Sequence, residues 1–122
     1  MQLATLRPID SAPSLAPDDR PIDLVHLARM TLGERSLERE VLQLFDRQST
    51  LLIARMRAAP AGVVTLAHTL KGSARGIGAW RVARAAEALE AADAAGRGAA
   101  LDRLAEATDE ARGLIAELLR AN

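Results

Sequence analysis

Apolar side chains return every three or four positions along most of this chain. Leu37, Val41, Leu44, Phe45, Leu51, Leu52 and Met56 recur at helical spacing through "SLEREVLQLFDRQSTLLIARMRAA". The pattern predicts a long helix that opens at Ser36, with Arg39 and Glu40 behind it, and stops at Pro60. A second helix is expected from about Ala61 to Arg75, where "GIG" breaks the pattern, and a third from Trp80 to about Ala95, ending in "AGRG". A fourth covers "LDRLAEATDEARGLIAELL", with Leu101, Leu104, Thr108, Ala111, Ile115 and Leu118 on one stripe. Ahead of these, Asp23 is an N-cap candidate for a short helix carrying "LVHLARMTL". The expected fold is all-α: an antiparallel four-helix bundle with a short leading N-terminal helix that covers one end.

Four of the five prolines precede Ile22, in "RPIDSAPSLAPDDRP". Residues 1–21 are therefore expected to be a proline-rich tail, and residues 22–122 a helical bundle domain. A length of 122 residues suits one compact domain. Alanine is abundant and Phe45 and Trp80 are the only aromatic residues, which favours helices over a β-sandwich. Sixteen acidic residues balance sixteen basic ones, so no global field points to nucleic acid or an anionic membrane. Without cysteine there is no disulfide framework, thiolate metal site or cysteine nucleophile. No apolar run approaches membrane-spanning length and the start lacks the layout of a secretory signal, so a cytoplasmic chain is expected.

One lysine stands among those sixteen basic residues, Lys71, three positions after His68 in "LAHTLKGSARGIGAW". At about 100° per residue, Val63, Leu66, Leu70 and Ile77 fall roughly opposite His68, while Val64, Lys71, Gly72 and Arg75 fall within about 60° of it. The apolar stripe faces the core, so His68 faces water. A neutral imidazole there keeps a lone pair on one ring nitrogen and is a competent covalent nucleophile. Lys71 is a mobile point charge suited to phosphoryl oxygens, and Arg75 extends the positive edge. Gly72 costs roughly 1 kcal/mol of helix propensity against alanine, and on this face it leaves room for a docking surface. Each residue also has a plain structural reading: Lys71 as a solvated charge, Gly72 as an incidental weak point, Arg75 as a partner of the helix C-terminal dipole. It is their convergence around one nucleophile that favours function. His26, by contrast, has no organised polar neighbours in sequence.

"HTLKGSARGIG" resembles the phosphorylation segment of histidine-containing phosphotransfer (HPt) domains. In that family the phosphorylated histidine is followed by lysine at plus three, glycine at plus four, a small residue and glycine at plus ten. Those positions are His68, Lys71, Gly72, Ser73 and Gly78, and the resemblance runs over roughly residues 22 to 120, through "RVARAAEALE". It implies an exposed histidine midway along a bundle helix, which takes a phosphoryl group from a receiver-domain aspartate and passes it to another. The receivers of a hybrid histidine kinase and a response regulator are the implied partners, and the receiver brings the aspartate and Mg²⁺. Where some members carry a hydrogen-bonding glutamine, this chain has Glu90, whose carboxylate repels a phosphoryl group unless it points away or pairs with arginine.

Neither a glycine-rich nucleotide loop nor length for an ATP-binding domain is present, so autonomous kinase activity is not expected. No cofactor or metal is expected on this chain, and His26 and His68 are far apart in sequence. Val64, Thr65, Gly72 and Arg75 are the expected partner-binding residues, Gly78 the structural turn, and the protein a monomer. Other readings are a docking adaptor without phosphochemistry, a nucleic-acid binder using Arg75, Arg81 and Arg84, and the excised phosphoacceptor module of a chemotaxis-type kinase. The proline-rich start and the helix ending near Asn122 favour a free-standing protein.

Overall fold

The computed structural model describes residues 20–121, and the tail expected over residues 1–21 lies almost entirely outside the described residues. Five α-helices account for most of the described chain, joined by one turn of 3₁₀-helix at Pro60–Gly62. They are α1 (Leu24–Met30), α2 (Arg35–Ala58), α3 (Val63–Ile77), α4 (Trp80–Ala91) and α5 (Arg97–Ala121). Each long helix packs on two others: α3 on α2 and α4, and α5 on α4 and α2, while α1 lies on α3. The core is aliphatic apart from Phe45. Leu42, Met56, Leu70, Val82, Leu89, Leu104 and Ile115 are buried together, and Ala67, Ala74, Ala86 and Ala111 lie between them. Small residues at those positions let helix axes approach closely.

Local chemistry sets the helix ends. Asp23 caps α1 by accepting from the backbone N–H of His26 at 3.1 Å. α2 begins one residue before Ser36, after Glu34, with no side-chain cap. It ends before Pro60, which cannot continue a helix and opens the 3₁₀ turn instead. At the end of α3, Gly78 adopts φ +84°; its N–H donates to Arg75 and the N–H of Ala79 donates to Ala74 at 2.8 Å. This pair of bonds is a Schellman ending, which turns the chain directly into α4. The interval between α4 and α5 departs from the expected boundaries. α4 stops at Ala91, four residues before Ala95, because Ala92 is extended and the Asp93 carboxylate accepts from the Gly96 N–H at 2.8 Å. α5 starts at Arg97, four residues before Leu101, and takes Gly98 into its first turn.

The stripe on α5 is as expected, with Leu104, Thr108, Ala111 and Ile115 buried. On α2 the buried face is Leu42, Phe45, Ser49, Leu52 and Met56, while Leu44 and Leu51 are more than half exposed. The buried hydroxyls bond to their own helices: Thr108 donates to the Leu104 carbonyl at 2.8 Å and Ser49 to the Asp46 carbonyl at 3.2 Å. No helix of the described residues is long and apolar enough to cross a membrane.

Candidate functional site

α3 has a fully buried side, Ala67, Leu70 and Ala74, and that side fixes its rotation. His68 is consequently thrown outward, its side chain 71% exposed. Val64, Thr65, Gly72 and Arg75 are exposed on the same helix. A methyl group built on Gly72 meets nothing within 4 Å, so the surface beside His68 is open.

The opposite flank of His68 meets α4. Leu89 is fully buried and anchors that helix, and Glu90, the next residue, lands against α3. One carboxylate oxygen of Glu90 lies 2.8 Å from His68 Nδ1, the other 2.6 Å from Lys71 Nζ. Glu90 thus bridges the two residues that the sequence singles out. It points toward the histidine rather than away, and its cationic partner is Lys71 rather than an arginine. The Lys71 ammonium is correspondingly not a free mobile charge: its side chain is 13% exposed and held by Glu90. The Lys71 ammonium holds the Glu90 carboxyl below the usual carboxylate range, against the upward push of burial and with help from His68. Being ionised, Glu90 can only accept, so Nδ1 of the neutral ring carries the proton and Nε2 carries the lone pair.

Ser73 belongs to a different surface. It faces α2 with Gly76, and together with Met30, Leu44 and Gln48 they line an open hollow of about 270 Å³ whose lining excludes His68, Lys71 and Glu90.

Gly78 closes the far end of α3, about 15 Å from His68 at the helical rise per residue, and His26 of α1 lies beside it. There the N–H of Asp23 donates to the Gly78 carbonyl at 2.8 Å, and a Cβ on Gly78 would stand 2.9 Å from the Asp23 carbonyl oxygen. Trp80 Nε1 donates to the Asp23 carboxylate at 2.9 Å, and the His26 ring stacks edge-on against Trp80 at 4.9 Å. The donation from Trp80 is the largest cause holding the Asp23 carboxyl below its usual range. This cluster pins α1 onto the α3–α4 turn. Sequence reasoning found Asp23 and Trp80 separately, but nothing in one dimension links residues 57 positions apart.

Of the three arginines considered for nucleic acid, Arg81 is paired with Glu110 at 2.8 Å and Arg84 is also engaged. Among the described residues, no group of three or more histidine, aspartate or glutamate side chains could hold a metal ion.

The described residues form a helical domain with an outward histidine braced by a carboxylate and a lysine. The chain belongs to the Hpt domain family, whose model matches residues 35–120, and phosphotransfer in two-component signalling goes with that membership. Comparison with curated proteins finds no significant match, and neither does comparison with solved structures.

Proposed function

We propose that this chain is a phosphoryl carrier of a phosphorelay, with His68 Nε2 as the atom that bears the phosphoryl group. The observation that carries the reading is the exposed ring whose Nδ1 is held by Glu90 at 2.8 Å, which leaves the nucleophilic lone pair on the nitrogen facing away from α4. In the forward step that lone pair attacks phosphorus in the aspartyl phosphate of a receiver domain. The P–O bond breaks, the aspartate leaves as a carboxylate, and a P–N bond forms. The reverse of these events, on a second receiver, completes the relay. Positioning and charge neutralisation carry most of such a transfer. Lys71 supplies a cation next to the site, and Mg²⁺ is held by the receiver rather than by this chain.

The donor and acceptor are the receiver domains of a hybrid histidine kinase and a response regulator. They dock over Val64, Thr65, Gly72 and Arg75, where the absence of side-chain bulk at Gly72 admits another surface. Short connections between α2, α3, α4 and α5, and the packing of each on two others, support an antiparallel four-helix bundle closed at one end by α1. The protein acts as a cytoplasmic monomer, without ATP-dependent kinase activity, nucleic acid or membrane attachment. The test is His68→Gln: it should abolish acceptance of phosphoryl groups from a phosphorylated receiver and leave the circular dichroism spectrum unchanged. Full labelling of that variant would refute the assignment.

A further inference from the structure

We infer that Glu90 sets how readily the phosphoryl group leaves His68, by keeping the proton on Nδ1 after Nε2 has been phosphorylated. The inference rests on His68 being the phosphoacceptor. Once Nε2 is bonded to phosphorus, the ring has two forms. It either retains the Nδ1 proton and is cationic, or loses it to water and is neutral. When the acceptor, an aspartate carboxylate or a water oxygen, attacks phosphorus, the electron pair of the P–N bond returns to Nε2. From the protonated form the leaving group is neutral imidazole; from the deprotonated form it is imidazolate, a much stronger base and a poorer leaving group. Whatever holds the Nδ1 proton therefore favours departure of the phosphoryl group.

Glu90 is placed to do this. Its two oxygens face two donors, Nδ1–H at 2.8 Å and the Lys71 ammonium at 2.6 Å, and the carboxylate is largely buried, with 18% of its side chain exposed. A carboxylate accepts at both oxygens, whereas a glutamine amide turns an NH₂ group toward one of the two donors. Glu90 also brings negative charge next to the incoming phosphoryl group, which destabilises the phosphorylated state further. Other charged groups lie on the same and neighbouring helices: Arg75 is exposed on α3, Glu87 is exposed one turn before Glu90 on α4, and Arg55 on α2 lines a shallow hollow with Thr65 and Leu66. Among the described residues Glu90 makes the hydrogen bond to the His68 ring. The site is thus built for rapid passage of the phosphoryl group rather than storage.

The test uses the full chain, phosphorylated by a phosphorylated receiver and freed of it, with the decay of the phosphoprotein followed from pH 5 to pH 9. In the parent protein, rapid loss should persist to higher pH than in Glu90→Gln. At pH 7.5 the variant's phosphoryl group should live roughly 3- to 10-fold longer, the effect of replacing a charge-assisted hydrogen bond by a neutral one. Because Glu90→Gln leaves Lys71 without its counter-ion, Glu90→Ala, which removes the acceptor of the Nδ1 proton altogether and keeps Lys71, provides a second variant with the same expected direction, and circular dichroism checks that both are folded. Identical pH profiles in parent and variants, or a shorter-lived variant, would overturn the inference while leaving His68 as the acceptor. Failure of the parent to be labelled at His68 would instead overturn the phosphocarrier reading.

Discussion

Two carboxylates, Glu90 and Asp23, organise this molecule, Glu90 by a contact to His68 and an ion pair to Lys71, Asp23 by accepting from two donors. Asp23 takes the backbone N–H of His26 with one oxygen and the Trp80 indole with the other, so one side chain caps α1 and ties it to α4. Asp23→Ala should cost about 2–4 kcal/mol, the sum of a lost cap and an unsatisfied indole N–H, read as a lower urea midpoint at unchanged m-value. Both carboxyl groups are held below their ordinary range, Glu90 chiefly by Lys71 and Asp23 chiefly by Trp80. A lowered carboxyl pKa contributes stability that is present above the unfolded value, near pH 4, and is lost as pH falls through the folded value. The urea midpoint of the parent should therefore drop in acid, and that of Asp23→Ala should drop by less. The outward placement of His68 and the proximity of Lys71 were legible from helical angle alone. That Glu90 joins them was not, because it depends on how α4 is rotated against α3.

The turn between those two helices makes the rotation possible. Gly78 sits at φ +84°, and a side chain there meets both the strain of the left-handed region and the Asp23 carbonyl at 2.9 Å. Gly78→Ala should destabilise the fold by at least about 1–3 kcal/mol. Gly72→Ala should do the reverse: that residue is helical with open space around it, so alanine adds up to about 1 kcal/mol of stability while slowing phosphoryl uptake by crowding the proposed docking surface beside His68. Thermal unfolding and labelling rates of the two variants check the contrast. Helix existence was legible in sequence because the apolar period is long and regular. Boundaries near Ala91 and Arg97 were not, since an alanine-rich stretch has the same propensity on either side of a turn, and a side-chain acceptor, Asp93, decides where it falls. Leu44 and Leu51 fit the helical period of α2 yet face outward, because α2 packs on α3 and α5 along one narrow face.

At the scale of the whole molecule, a helical frame whose sequence carries no excess charge displays the His68–Glu90–Lys71 bridge where α3 meets α4. Each long helix packs on two others around a largely aliphatic core, and that packing sets the side of α3 from which His68 projects. Composition and periodicity pointed to such a frame, whereas the way Glu90 ties α4 to His68 appears only in three dimensions. The direct measurement is nitrogen NMR of the histidine ring, before and after exposure to a phosphorylated receiver. The account predicts a proton on Nδ1 beforehand and phosphorus coupling at Nε2 of His68 afterward, with the Nδ1 proton retained. Phosphorus on Nδ1, or on a serine, threonine or aspartate, would contradict it.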